Sequence, residues 1–377
     1  MQQAMQARRW PARALLACGA FCLWAAANSG HAAAAGSGDP LVADNAAASP
    51  KDAHAWLSRI HRAATRGNYE GTLVFSAEGT MSSARVAHYA VGGQTYEELE
   101  ALDGRQQRIV RRNNAVHTLW PQSRLAVVET RETLAALSAT PQSIDPVALE
   151  QYSLRSEGPA RVAGRDAEVI LLQPRDDLRY AQRLWADRAT GLLLRADVLA
   201  PAAAGAAQPG APLPVLESTA FSEVLIGVKP QPRRLMQALQ ELEPAASSGA
   251  VKAAADSGRP GWRVQRQPQA RTTLGAEGWV LEHPVPGFRL AGCVRRGMHA
   301  AAPDEPVLQA VFTDGLTHVS VFVEPYKAGV HGEPMQARHG ATASAMMRRG
   351  ERWVTIVGDV PLSTLMRFGD ALVRQPR

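Results

Sequence analysis

The run Ala84-Arg-Val-Ala-His-Tyr-Ala-Val-Gly-Gly-Gln-Thr-Tyr-Glu-Glu-Leu-Glu-Ala-Leu-Asp-Gly104 sets the architecture of this chain. Two short segments, Ala84 to Val91 and Thr95 to Leu102, are separated by Gly92-Gly93 and followed by Asp103-Gly104. Such pairs suit two-residue hairpin loops, whose central positions need a positive φ that costs most other residues energy. The pattern extends in both directions. Upstream lies Gly71 to Ser76; downstream come Arg105 to Arg111, Ala115 to Trp120 and Leu125 to Thr130, with Asn113-Asn114 and Pro121-Gln122 between them. It returns in Tyr180-Ala-Gln-Arg-Leu-Trp-Ala-Asp-Arg-Ala-Thr-Gly-Leu-Leu-Leu-Arg195. There Asp187 is placed to bond forward to the backbone and Gly191 to take the left-handed conformation. Hairpin after hairpin predicts an antiparallel sheet of sequence neighbours, a cradle more than a catalytic scaffold.

Around this sheet, Trp56, Leu57, Ile60 and Ala64 recur at helical spacing between a capping Asp52 and the stop Gly67-Asn68. Residues 131–153 lose the alternation and are expected to be helix and loop, before a strand over Ala167 to Leu172. Pro201 to Pro214 is an Ala- and Pro-rich loop leading to a last strand, Val215 to Ile226. From 230 to 260 the composition of Pro, Ala, Ser and Gly predicts a linker, with one helical piece near Arg234 to Leu242. Beyond it, strands around Trp279, Phe288 to Val294, Val307 to Thr313, Val319 to Glu324 and Trp353 to Val357 form a second β-rich domain. Asp314-Gly315 is a turn in it, Ala328 to Thr342 is expected to be a mobile loop, and Pro361 opens a terminal helix.

The first residues place Arg8, Arg9 and Arg13 before an apolar run from Ala14 to Ala27 and small residues at 31–36, the pattern of a cleaved export signal. The expected divisions are 1–35 signal peptide, 36–50 leader, 51–229 first domain, 230–260 linker and 261–377 second domain. Losing the three arginines of the signal lowers the formal charge from +6 to +3. Cys18 and Cys22 leave with it, so the exported chain keeps Cys293 alone and has no internal disulfide. Only Lys51, Lys229, Lys252 and Lys327 among 41 basic residues are lysine, and the mild charge gives no reason to expect a nucleic-acid partner. No Gly-x-Ser-x-Gly elbow, phosphate loop, His-Glu-x-x-His or paired cysteines occur. His54 and His61 lie too far apart on one helix face to share a metal, and Cys293 is expected to be inert packing despite Arg295 and Arg296. No cofactor, metal or enzymatic activity is expected.

Several stretches carry a resemblance: Trp56 to Ile60, Asn68 to Phe75, Leu102 to Gly104, Tyr180 to Arg195, Phe221 to Gly227, Val311 to Pro325 and Val354 to Pro361. In order and across both domains, they resemble the RseB/MucB family of periplasmic sigma-E regulators. Arg183 to Asp187 with Thr190 to Leu192 is also similar to the lipoprotein carriers LolA and LolB. The resemblance implies an α+β, mostly antiparallel fold: an unclosed LolA/LolB-like β-barrel with helices in its open side, then a smaller β-rich domain ending in a helix. It implies a negative regulator that binds the periplasmic part of an RseA/MucA-type anti-sigma factor, shields it from site-1 proteolysis and is released by an acylated lipoprotein or lipopolysaccharide. A lipid carrier is the alternative, and the resemblance leaves room for a homodimer. Strand alternation puts Leu73 and Phe75 on one face with Tyr69, and Leu184 opposite Trp185. Leu73, Phe75, Leu184 and Leu192 are therefore candidate lipid-cavity residues. Phe312, Leu316, Phe322, Arg348 and Arg349 are candidates for binding the protein partner.

Overall fold

The computed structural model describes residues 50–130, 149–201, 213–240, 261–267, 269–297 and 306–375. The export signal, most of the leader, and much of the readings of 131–153, 201–214 and 230–260 lie outside these residues. Helix α1 (Pro50–Arg66) buries Ala53, Leu57, Ile60 and Ala64, one stripe at the 3.6-residue period. Asp52 falls inside its first turn, not at the cap. The helix stops where Gly67 N–H donates to Ala63 O at 3.0 Å.

The first sheet has twelve strands: β1 (Tyr69–Ala77), β2 (Thr80–Val91), β3 (Gln94–Ala101), β4 (Arg108–Arg112), β5 (Ala115–Trp120), β6 (Leu125–Thr130), β7 (Tyr152–Val162), β8 (Arg165–Pro174), β9 (Ala181–Asp187), β10 (Leu193–Leu199), β11 (Val215–Ile226) and β12 (Arg263–Gln267). Their spatial order is β12-β6-β5-β4-β3-β2-β1-β11-β10-β9-β8-β7, so β12 and β7 are the two open ends. Every pairing among the described residues is antiparallel except β12 on β6, which is parallel. The expected hairpins at Gly92-Gly93, Asn113-Asn114 and 187–191 are present. At the last, Thr190 N–H and Oγ1–H both donate to Asp187 Oδ1, at 2.7 and 2.8 Å.

Two sequence readings are corrected. Asp103-Gly104 is not a two-residue turn: Ala101 N–H donates to Gln107 O, which widens the loop, because the Asp103 carboxylate is taken up by Ser83 N–H and Oγ–H. Tyr152–Val162 is a strand despite Gly158 and Pro159. It lies at the end of the sheet, where a missing N–H is tolerated, and a bulge between Ser156 and Gly158 absorbs the irregularity.

One face of β1–β5 and β11 packs Tyr69, Leu73, Val86, Leu99, Ile109, Val116 and Phe221 with Leu192 and Leu194. Helix α1 lies over a neighbouring patch of Tyr152, Leu154, Ile170, Leu172 and Leu184. The opposite face of β2–β6 is covered by helix α2 (Pro232–Gln240), whose Leu235 and Leu239 pack on Ala87, Tyr89, Val110, Leu119 and Ala126.

The second sheet is ordered β13-β15-β16-β17-β20-β19-β18, from β13 (Gln269–Arg271), β15 (Arg289–Arg296), β16 (Val307–Thr313), β17 (His318–Pro325), β18 (Met335–His339), β19 (Thr342–Arg349) and β20 (Arg352–Gly358). A small ribbon pairs β14 (Trp279–Leu281) with β21 (Leu372–Arg374). Helix α3 (Leu362–Ala371) packs Leu365 and Phe368 against Phe288, Phe312, Val321, Val354 and Ile356. The loop expected over Ala328 to Thr342 is corrected in its second half: Met335–His339 is a strand, hairpinned to β19 through Gly340 at φ +59.

Candidate functional site

Among the described residues, polar contacts between the two domains gather in three places. At the first, Asp314 follows strand β16 in the Asp-Gly turn. Its Oδ1 accepts from Leu316 N–H and Thr317 N–H, both at 2.8 Å, which closes the turn. Its Oδ2 accepts from Arg179 Nε at 2.6 Å and from the Tyr152 hydroxyl at 3.0 Å, both across the seam. Arg179 also bonds Asp176, donates to Pro286 O at 2.6 Å and lies 4.7 Å from the Phe288 ring centroid. Burial, then the neighbouring Asp314, pushes the Tyr152 phenol well above its ordinary value, so it stays a donor. Nearby, Leu316 packs on the first-domain patch of Tyr152 and Leu184, and Thr364 Oγ1 donates to Leu178 O at 2.9 Å.

At the second contact, Arg296 Nη2 donates to Glu129 Oε2 at 2.6 Å, with both side chains 4% exposed. At the third, the β18–β19 turn meets β1 and β11. Gly340 N–H donates to Glu78 Oε1 at 3.0 Å, and His339 Nδ1 lies 3.2 Å from Glu78 Oε2.

On the outer part of the second domain, Pro334, Met335, Gln336, Ala345, Met346, Met347, Arg348, Arg349 and Met366 line an open groove of about 470 Å³. Strand β18 ends the sheet order, so one side of its backbone has no strand neighbour within the second sheet. Arg349 reaches from the groove to Gly369 O and Asp370 Oδ1, at 3.0 and 2.9 Å. Arg348 rests 4.0 Å above the Tyr326 ring, which stacks on His331, itself stacked on Trp353. Flexible thioethers adapt to varied apolar side chains, guanidinium groups engage carboxylates, and an open strand edge accepts another strand. These features together suit an extended peptide.

The candidate residues separate clearly. Leu73 and Leu192 are buried and Phe75 half-buried in one cluster, whereas Leu184 is buried in the patch beneath α1. Phe312 is buried against Phe368, their ring centroids 5.1 Å apart. Phe322 is buried on the sheet face opposite Val321 and Val323, and Leu316 lies in the domain seam. Of the five partner candidates, Arg348 and Arg349 line the groove. Met335, Met346 and Met347 escaped sequence reasoning because the strands that carry them, β18 and β19, were unrecognised, and Met366 joins them from helix α3 only in space. Cys293 is a packed core thiol, pushed up to about 11 by burial first and Glu277 second, which keeps it unreactive at neutral pH.

Two β-rich domains clasped through buried ion pairs, with a peptide-sized groove on one of them, define a two-domain binding protein. The MucB/RseB N-terminal domain family matches residues 52–239 and the MucB/RseB C-terminal domain family matches residues 273–373. The chain belongs to the MucB/RseB family. It is 30% identical over 325 residues to the sigma factor AlgU regulatory protein MucB of Pseudomonas aeruginosa, covering 84% of this chain and 89% of that protein. The sigma-E factor regulatory protein RseB of Haemophilus influenzae is 26% identical over 329 residues, 87% of this chain and 93% of that one. A crystal structure of MucB in complex with MucA(peri) superposes with a TM-score of 0.58 at 27% identity, covering 86% of this chain and all of that one.

Proposed function

We propose that this chain is a periplasmic negative regulator of a sigma-E-type envelope-stress response. It binds the periplasmic part of a membrane-spanning anti-sigma factor of RseA/MucA type and shields it from site-1 proteolysis. The observation that carries this reading is the match to MucB through both domains, in a relative solved together with MucA(peri). The export pattern of residues 1–35 supports the periplasmic location. The methionine-lined groove with Arg348 and Arg349 receives an extended segment of the partner. An acylated lipoprotein or lipopolysaccharide releases the complex by occupying the first-domain cradle, where Leu73, Phe75 and Leu192 supply apolar surface. Each buried CH2 contributes about 0.8 kcal/mol, so burying about ten acyl carbons matches a micromolar protein interface of about 8 kcal/mol. Release is reciprocal: lipid weakens the complex only as far as it prefers the free regulator.

The test is the affinity of residues 36–377 for the periplasmic segment of the cognate anti-sigma factor, with and without a diacylated lipopeptide or lipopolysaccharide. Binding that the lipid ligand weakens is the expected result. Lipid binding without any anti-sigma binding would instead make the chain a carrier. Reversing both Arg348 and Arg349 to Glu should weaken the protein complex about tenfold or more, by losing charge-assisted contacts. Unchanged affinity would remove the groove from the interface.

A further inference from the structure

The third contact between the sheets concentrates titratable groups from both domains in one place. From the first domain come Glu78 in the β1–β2 turn, Glu217 near the start of β11, and Tyr180 just before β9. From the second come Arg338, His339 and the backbone N–H groups of the β18–β19 turn, together with Asp359 beyond β20. Glu217 follows Val215 and Leu216 on β11 and pairs with Ala77 of β1, so it stands beside Glu78. Its carboxylate accepts from Ala341 N–H across the seam and faces Asp359. Asp359 is anchored from its own domain: its Oδ1 accepts from Thr342 Oγ1 at 2.6 Å and its backbone carbonyl from Thr317 Oγ1 at 3.0 Å. The Tyr180 hydroxyl is hydrogen-bonded to Arg338. Packing leaves little slack here, since a methyl group on Gly340 would lie 3.0 Å from Ala77 Cβ and 3.4 Å from Glu217 Oε2.

We infer that this seam is a pH-responsive joint, in which a proton on Glu217, facing Asp359 from the other domain, holds the two domains together and loss of that proton loosens them. Two half-buried carboxylates, one from each domain, repel when both are charged, and neither can move away while its backbone and hydroxyl partners hold it. Separation of the domains returns both groups to water and ends the repulsion. Burial first, then Asp359, raises the Glu217 carboxyl to about 7, against the opposing Ala341 N–H. The raised value belongs to the closed state, so its stabilisation is complete in the ordinary carboxylate range and is lost as the pH rises through about 7. Glu78 and His339 also face each other across this seam, 3.2 Å apart. Arg338, hydrogen-bonded to Tyr180, carries a constant positive charge in this cluster that offsets part of the repulsion without itself responding to pH.

The experiment places fluorophores on cysteines introduced at the exposed positions Leu102 and Val330, one in each domain, in residues 36–377 with buried Cys293 left in place. Interdomain energy transfer is then followed from pH 6 to pH 8. The expected result is a narrow distance distribution at pH 6 that broadens at pH 8. Glu217→Gln should lose more than half of that response and stay narrow. Asp359→Asn keeps an acceptor for Thr342 and should reduce the broadening and move what remains to lower pH, because the like charge that raises Glu217 is gone. It decides the matter if the Glu217 variant does not fold. Identical distributions at pH 6 and pH 8 in the parent protein, or a parent-like response in either carboxylate variant, would overturn the inference.

Discussion

Arg179 and Asp314 are 135 positions apart in the chain and meet at 2.6 Å with neither side chain exposed. The pair does two jobs through one carboxylate, since Asp314 shapes its own turn with Oδ1 and receives the other domain with Oδ2. A buried pair contributes little over an apolar replacement, but removing one member strands the other charge in the interior.

Arg179→Met should therefore cost about 3–5 kcal/mol in denaturant unfolding, as expected for an uncompensated buried carboxylate. Tyr152 continues to donate to Asp314 in that variant, so Arg179→Met with Tyr152→Phe should be worse than either alone. A loss below about 1 kcal/mol in the single variant would show that the clasp does not hold the domains.

Gly287 and Gly164 offer a matched comparison. Both have a positive φ, +75 and +74, but the Cβ of an alanine at 287 would run into Arg179 Nη2 and Gln151, while at 164 nothing lies within 4 Å. Gly164→Ala should cost about 1 kcal/mol of backbone strain, and Gly287→Ala more by at least that amount, because it also displaces the clasp arginine. Thermal denaturation of the two variants side by side reads the difference; equal losses would contradict the contact.

Asp187 links α1 to the β9–β10 hairpin. Burial works against its charge, but Arg165 first and Thr190 next hold its carboxyl below the usual range, while Arg59 donates to the backbone carbonyls of Asp187 and Arg188. Its folded value is depressed, so its stabilisation is present above the unfolded value of 3.8 and disappears as acid titrates the folded carboxylate. Asp187→Asn should thus be less stable than the parent by about 1–3 kcal/mol at pH 7 and converge with it as the pH falls below 4. A gap of constant size over that range would remove charge from the explanation.

Leu235 is fully buried between α2 and the outer face of β2–β6. Leu235→Ala should cost about 2–5 kcal/mol and speed proteolysis around residue 235, because Leu235 is more deeply buried than Leu239, its companion anchor on this short helix. Cleavage there at the parent rate would mean that the helix is not seated on the sheet.

The hairpins of the first sheet were legible because Gly92-Gly93 and Asn113-Asn114 punctuate short strand segments with turn residues. Strands β7, β18 and β19 were not. Gly158 and Pro159 sit inside β7, where only its place at the sheet end makes them tolerable. Ala343, Ala345, Met346, Met347, Arg348 and Arg349 in β19 have low strand propensity and are strand only because α3 and β20 pack on them. Gly369 shows how closely α3 sits on them: a Cβ at that one position would meet Met347 and Ile356. The seam was invisible for another reason. Nothing around Asp314-Gly315 distinguishes an ordinary turn from one whose spare oxygen receives an arginine 135 positions away. The basic pair at 348–349 was legible as charge, but its methionine surroundings appear only when Met335, Met346, Met347 and Met366 are brought together in space.

The parallel seating of β12 on β6 makes the molecule interlocked, not merely tethered. Arg263 to Gln267 reaches back to Leu125 to Glu129, and a few residues later Gln269 to Arg271 enters the other sheet beside β15. A protease cut between residues 241 and 260 would therefore leave a carboxy-terminal fragment still hydrogen-bonded along five residues of the amino-terminal one, and held further by Arg296 on Glu129 and Asp314 on Arg179. The two fragments should co-migrate as a nicked but intact particle, and separately produced halves should reassemble on mixing.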